Sequence, residues 1–354
     1  MRRRVPFVDL ARRHAEVADE VERRVIEVLR SGTYIGGQLG DEVARTMNQW
    51  LDGVGAVGVG NGTDALMFAL QVLGIGPSDE VIVPALSFFA TAGAVAALGA
   101  TPVVVDVTED ALLDPEAMAR AMSPKVKAVI PVHLFGSVAP ALDIAVPVVD
   151  DAAQAVGAEP APMRGVLAAV SAYPTKPWGA AGDAGFVVTR DVDLYGPLSR
   201  LGTHGQGANS QHYAIGATVG RNSRLDAIQA AVLAGHADRV APRRDGRRAR
   251  ALRYDDGLPP SVTPLPRSPG SAVSQYSVLV TDRMRVMRHL AGAGIDTIVY
   301  YPHPLHRQPA LEGRCRVTPT PTADHLAEHL LSLPIADCDD DDVDLVLAAL
   351  REAT

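Results

Sequence analysis

From residue 54 to residue 189 the chain alternates short, β-branched apolar runs with segments of helical periodicity, and few architectures accept that pattern. The runs at residues 56–59, 81–83, 103–105, 128–132, 146–149 and 186–188 are continuously apolar, as strands buried on both faces are. Residues 63–73 and 91–98 carry helical patterns between the first three runs, and Gly74 and Gly99 follow them as C-cap glycines. The order predicts an α/β domain whose mostly parallel sheet is covered by helices on both faces.

On either side of this block the pattern is different. Leu10, Val17, Val21, Val25 and Leu29 are spaced as one face of an amphipathic helix, which Ser31-Gly32 ends. Helical periodicity returns at Leu225, followed by an arginine-rich stretch, residues 239–253, expected to be a solvated helix face. Pro259-Pro260 and the Pro/Ser-rich run to Pro269 read as a linker-like loop. Beyond it, a strand (276–280), a helix (285–291), a short strand (297–300) and a last helix (341–350) suit a smaller α+β domain. With 354 residues, two domains are the natural expectation: an N-terminal helical arm over 1–30, a large α/β domain over 31–235 and a small C-terminal domain over 236–354. The acidic run 337–344 lacks the spacing and the glycine of a calcium loop, and carboxylates at a helix start explain it better.

Several function classes are disfavoured at this level. A net charge of −8 argues against a nucleic-acid partner, which calls for a basic face. The longest apolar stretch, residues 90–100, is too short for a bilayer, and Met1-Arg2-Arg3-Arg4 is followed by no apolar signal core. The two cysteines, Cys315 and Cys338, form no CxxC pair, so neither a disulfide framework nor a metal site is expected, and a cytoplasmic protein fits. Gly53, Gly55 and Gly58 satisfy GxGxxG, the dinucleotide fingerprint, with Asp79 about twenty residues on. The context is wrong, because the strand overlaps the motif and the helix opens only after Asn61-Gly62-Thr63.

Four separated segments would each fall at a strand's C-terminal end or in the following loop, where open α/β sheets place ligands. Gly60-Asn61-Gly62-Thr63 opens a helix whose free N–H groups suit an anion, or is a plain N-cap. Asp150-Asp151 ends an apolar run and could hold a negative charge under a cationic heterocycle, ligate magnesium, or be solvated. Lys176 sits in Ser171-Ala172-Tyr173-Pro174-Thr175-Lys176, ahead of Trp178 and a glycine/alanine run. Partial desolvation there would lower its pKa toward the neutral amine a Schiff base needs. The fourth segment, Gly220-Arg221-Asn222-Ser223-Arg224-Leu225-Asp226, precedes a helix, with Ser223 or Asn222 as its expected N-cap.

In order and spacing these segments resemble the DegT/DnrJ/EryC1/StrS sugar aminotransferases, which have the aspartate aminotransferase (type I) fold of pyridoxal-phosphate enzymes. The resemblance extends to Pro84-Ala85-Leu86-Ser87-Phe88-Phe89-Ala90-Thr91, Pro131-Val132-His133-Leu134-Phe135-Gly136, Gln229-Ala230-Ala231-Val232-Leu233 and Tyr301-Pro302-His303-Pro304-Leu305-His306, and so over nearly the whole chain. It implies a large domain with a mostly parallel mixed sheet flanked by helices, and a smaller C-terminal α+β domain. It implies that Lys176 forms the internal aldimine with pyridoxal 5′-phosphate and then shuttles the proton, with pyridoxamine phosphate as the intermediate form. Asp151 would pair with the pyridine nitrogen, Gln154 reach the ring hydroxyl and Phe88 stack on the ring; Gly62, Thr63 and Ser171 would hold the phosphate. Asn222 would reach the cofactor of the neighbouring subunit, making a homodimer, and Tyr34, Tyr173 and Tyr301 would meet the sugar or its phosphates.

By the same resemblance the donor is L-glutamate and the acceptor a nucleotide-linked keto-deoxysugar. The Tyr-Pro-Thr-Lys form, with Gly182-Asp183-Ala184-Gly185 after it, is closer to members acting at C3 of dTDP-linked keto-6-deoxyhexoses, as in antibiotic deoxyaminosugars. Rival readings are amination at C4 or of a cyclitol, dehydration, and a PLP-binding regulator without turnover. The retained Lys176 speaks against dehydration, and Lys176 with Asp151 against the regulator. The chain departs from the family between Gly136 and Asp151, where roughly two helical turns are missing, between Gly157 and Ser171, and at Val156, where histidine is frequent. A shortened loop or helical stub is expected there.

Overall fold

The computed structural model describes residues 3–206 and 218–354; Met1 and Arg2 of the basic N-terminal run lie outside the described residues. The chain opens with helices α1 (Leu10–Ala15), α2 (Ala18–Ser31) and α3 (Gln38–Leu51). It continues through β1 (Gly55–Val59), α4 (Gly62–Val72), β2 (Glu80–Pro84), α5 (Ala90–Ala97), β3 (Thr101–Val105), α6 (Pro115–Ala121) and β4 (Val126–Val129). Then come β5 (Val149–Asp151), β6 (Leu167–Ser171), β7 (Gly185–Thr189), α7 (Val192–Leu201), α8 (Ala227–His236) and α9 (Val240–Gly257). The last third holds β8 (Thr263–Pro264), β9 (Tyr276–Leu279), α10 (Arg283–Gly292), β10 (Arg316–Val317), α11 (Pro321–His329), β11 (Leu330–Leu333) and α12 (Asp340–Ala353).

Two four-stranded ladders, β1-β7-β6-β5 and β10-β3-β2-β4, meet through the single parallel bridges Val129↔Val148 and Val132↔Asp151. Only β7 runs antiparallel, against both β1 and β6, so the sheet is mixed but mostly parallel. Burial on both faces explains the unbroken apolar runs: Val81, Ile82, Val83, Val103, Val104 and Val105 are all fully buried. A second, antiparallel sheet β11-β9-β8 packs with α9, α10 and α12 around Tyr254, Tyr276, Val278, Leu290 and Leu331. The stacked Tyr254 and Tyr276 rings lie 4.6 Å apart at its centre. Among the described residues no helix is long and apolar enough to cross a membrane.

Several local expectations change. The single N-terminal helix is two, broken at Val17, whose φ of −139° is not helical. The break lets Arg13 point inward from α1 while Val21 and Val28 of α2 stay buried. The termination at Gly32 stands, in the left-handed region at φ +70°. The run at 128–132 ends as a strand at Val129 and continues through the isolated parallel bridge Val132↔Asp151, with Ile130 N still bonded to Ile82 O. The segment 297–300 contributes one bridge, Ile298↔Ser332, in place of a strand. Helix α8 is capped by Asp226, which accepts from Gln229 N at 2.9 Å; Ser223 instead accepts from Gly60 N at 2.9 Å, leaving the cap to Asp226.

The arginine-rich helix α9 is not a solvated face. Arg247 is 3% exposed and donates to Ala272 O, and burial pulls its guanidinium down to about 9. Arg250 donates to Ile335 O and Ala336 O, and Arg243 to Arg13 O and Glu16. The acidic run behaves as expected, since Asp339 and Asp342 form a capping box at the start of α12, met by Arg3 and Arg12. The short stretch after Gly136 holds no helix up to β5, only an irregular connection. The GxGxxG glycines are packing positions: a Cβ on Gly53 would meet Val188, on Gly55 the Tyr195 ring, and on Gly58 Leu225.

Candidate active site

The strand ends of the large sheet and the segment around Tyr301 enclose a cavity of about 670 Å³. Gly62, Thr63, Phe88, Asp151, Gln154, Ser171, Tyr173, Lys176 and Tyr301 line it, so the fold gathers nine of the residues singled out in the sequence. Tyr34 and Asn222 do not line it. Both are exposed; Tyr34 donates to Leu29 O, and Asn222 Oδ1 accepts from Arg224 at 3.0 Å.

One edge offers backbone donors suited to an anion. Asn61 caps α4 by accepting from Asp64 N at 2.8 Å. The N–H groups of Gly62 and Thr63 have no protein acceptor among the described residues and stand at the positive end of the helix dipole. A Cβ on Gly62 would lie 2.7 Å from Ser171 Cβ, so this edge closes only around glycine. The Ser171 hydroxyl accepts from Tyr173 N at 3.3 Å and keeps its own hydrogen to donate.

Asp151, at the end of β5, is 6% exposed. Thr91 Oγ1 donates to its Oδ2 at 2.9 Å and Ala153 N to its Oδ1 at 3.2 Å. Since the Thr91 hydrogen is spent on Asp151, the Ser87 hydroxyl 2.8 Å away must donate to Thr91. Burial raises the Asp151 pKa, and these two donors offset only part of that. The adjacent Asp150 points away from the cavity. It accepts from Arg164 N and Gly165 N and has His133 Nε2 3.1 Å from its Oδ1. Ala139 N donates to His133 Nδ1, which fixes the ring hydrogen on Nε2, facing Asp150.

Lys176 sits in the loop between β6 and β7. Gly179 approaches so closely that a Cβ there would lie 2.3 Å from Pro174 O, and Lys176 N donates to Tyr173 O at 2.9 Å. Burial lowers the Lys176 pKa, while the negative Asp151 opposes the shift. Gln154 ties two walls together: its Oε1 accepts from Phe135 N at 2.7 Å and its Nε2 donates to Tyr301 Oη at 3.2 Å. Burial raises the Tyr301 pKa, so the side chain stays a phenol whose hydrogen is free for a ligand. Phe88 is 58% exposed at the cavity mouth, its ring 6.2 Å from that of Tyr301. Sequence reasoning missed the roles of Ser87 and Thr91, although their i, i+4 spacing at a helix start was a usable signal.

These features fit a planar cationic ring bearing an anionic arm. Among the described residues no cation is hydrogen-bonded to the buried Asp151 carboxylate, the N–H groups of Gly62 and Thr63 have no acceptor, and the Lys176 amine of lowered pKa lines the same cavity.

The sequence profile of the DegT/DnrJ/EryC1/StrS aminotransferase family matches residues 15–351. The UDP-2-acetamido-2-deoxy-3-oxo-D-glucuronate aminotransferase of Pseudomonas aeruginosa is 36% identical, over 94% of this chain and 95% of its own length. The dTDP-3-amino-3,4,6-trideoxy-alpha-D-glucose transaminase of Streptomyces venezuelae is 38% identical, over 94% of this chain and 91% of its own. Among solved structures, NtdA of Bacillus subtilis with bound cofactor PMP superposes with a TM-score of 0.92 at 25% identity, covering 99% of this chain and 85% of that one.

Proposed function

The chain belongs to the DegT/DnrJ/EryC1/StrS aminotransferase family, and from that premise we propose that it moves an amino group from L-glutamate to C3 of a dTDP-linked keto-6-deoxyhexose, using pyridoxal phosphate on Lys176. The observation that carries the reading is the buried, under-compensated Asp151 in the same cavity as Lys176.

Pyridoxal phosphate, when bound, supplies an electron sink that makes the hydrogen on the amine-bearing carbon acidic. Gly62, Thr63 and Ser171 would hold its phosphate, and Phe88 would cover its ring. Asp151 would hold the ring nitrogen protonated; the pairing stabilises the carboxylate that burial disfavours. Lys176 would be the covalent anchor; freed from that role, its amine would take the proton from the donor carbon and pass it to the cofactor carbon that receives the nitrogen, a transfer that its lowered pKa suits. Gln154 would reach the ring hydroxyl with its second amide hydrogen. Tyr173 and Tyr301 line the cavity where a sugar would sit. Asn222, exposed and outside the cavity of its own chain, would serve the neighbouring subunit of a homodimer, and Tyr34 would act from the surface likewise.

The acceptor reading rests on the Tyr-Pro-Thr-Lys segment and on the dTDP-sugar relative. The UDP-linked 3-oxo sugar in the name of the Pseudomonas relative keeps the carbon and changes the nucleotide. Purified enzyme converted to the pyridoxamine form with glutamate, then mixed with each keto sugar, decides between them. Recovery of the pyridoxal band with the dTDP-linked 3-keto sugar, and not with 4-keto sugars, is expected. Recovery only with a 4-keto sugar or a cyclitol ketone would overturn the C3 assignment.

A further inference from the structure

Arg13 belongs to no segment that carries the proposed chemistry, yet its side chain reaches the lysine loop. It projects from α1 and is 8% exposed. Its Nη1 donates to Pro174 O at 3.0 Å and to Lys176 O at 3.2 Å. Its Nε and Nη2 donate to the two oxygens of Asp337, at 2.9 and 3.0 Å. Asp337 is itself fixed by Asp9 N at 3.0 Å, and the Arg13 carbonyl by Arg243 Nη2 at 2.9 Å. One guanidinium therefore joins the N-terminal helix, the segment before α12 and the carbonyls of Pro174 and of Lys176 itself.

We propose that Arg13 is a positioning residue for Lys176, fixing the backbone from which the amine reaches the cavity. The inference rests on the reading of Lys176 as the cofactor's anchor. Two features make it more than a tie between segments. The bonded atoms belong to the lysine itself and its near neighbour. Gly179 packs closely against Pro174 O, the same carbonyl that Arg13 bonds, so this part of the lysine loop has little room to shift. A planar fork is required, because a single ammonium cannot serve a bidentate carboxylate and two carbonyls together.

The test compares wild type, Arg13→Gln and Arg13→Lys as full chains. Cofactor-free protein is mixed with pyridoxal phosphate and borohydride, and the rate of label appearing on Lys176 is followed by peptide mass spectrometry. The chain has three lysines, so assignment is direct. The pH midpoint of the visible band and the melting temperature are recorded beside it. Arg13→Gln is expected to label Lys176 about tenfold more slowly or worse, as misplacement of a reacting group predicts, with a displaced midpoint at temperatures where it remains folded. Arg13→Lys should recover part of the rate. A folded Arg13→Gln with wild-type rate and midpoint would overturn the proposal and leave Arg13 a structural tie. If Arg13→Gln does not fold, Arg13→Lys decides alone: a wild-type rate overturns, a slower one supports. Absence of label in wild type would instead overturn the cofactor reading on which the proposal rests.

Discussion

Replacing Asp151 by Asn should stabilise the cofactor-free protein while weakening its hold on pyridoxal phosphate. Asp151 is 6% exposed and receives hydrogen bonds from Thr91 and Ala153, with no hydrogen-bonded cation. Burial raises its pKa above the ordinary value of 3.8. Between that value and the raised one the folded chain binds more protons than the unfolded chain. Stability therefore falls as pH rises through this window, and the cost is fully present above the raised pKa. Asparagine keeps the volume and an acceptor for Thr91 but removes the charge, which should recover about 1–2 kcal/mol, or roughly 1–3 °C in melting temperature for a chain of this size. The gain should shrink as pH falls and wild-type Asp151 becomes protonated. In the presence of cofactor the sign reverses, because an unpaired pyridinium nitrogen costs about 3 kcal/mol, near a hundredfold in affinity. Scanning calorimetry of both proteins without cofactor at two pH values, and titration with pyridoxal phosphate at neutral pH, measure the two halves. A variant less stable than wild type at neutral pH, with unchanged cofactor affinity, would refute the description of Asp151 as a buried anion awaiting a cation.

Three further outcomes follow from the site. Thr91→Val removes the hydroxyl on Asp151 at nearly constant volume; it should lower cofactor affinity and stability by about 1–3 kcal/mol, read by titration and melting, and an unchanged affinity would show the hydrogen bond to be dispensable. Gly62→Ala places a Cβ 2.7 Å from Ser171 Cβ and should weaken pyridoxal phosphate far more than phosphate-free pyridoxal, whereas equal losses would speak against a phosphate cradle. Mixing inactive Lys176→Ala with a weakened Asn222→Ala should restore turnover in hybrid dimers, where the intact lysine meets an intact partner asparagine. No restoration, with hybrids shown to form, would mean that Asn222 serves its own chain or none.

The large sheet was legible because parallel strands buried on both faces leave continuous apolar runs, and 81–83, 103–105 and 186–188 all lie within observed strands. The sequence patterns give no reading of helices α3, α6, α7 and α11, nor of β6 apart from Ser171 at its end. Long-range partners also decided the details that sequence spacing got wrong. Ser223 is taken by Gly60 N, so the cap of α8 passes to Asp226, and the α9 arginines are drawn in by carbonyls at Ala272, Ile335 and Ala336. At the site, the residue types announced themselves: a lysine among glycines, a carboxylate after an apolar run, and glycines before a helix. Thr91, Ser87 and Arg13 did not, because each acts through a partner distant in sequence or through a hydroxyl that is ordinary in isolation.

The central claim is most directly tested by reducing the protein with borohydride in the presence of pyridoxal phosphate, with and without prior L-glutamate, and locating the label by mass spectrometry. Label on Lys176 and not on Lys125 or Lys127, lost after glutamate treatment and absent in Lys176→Ala, is the predicted result. Label spread over all three lysines, or unaffected by glutamate, would contradict the account.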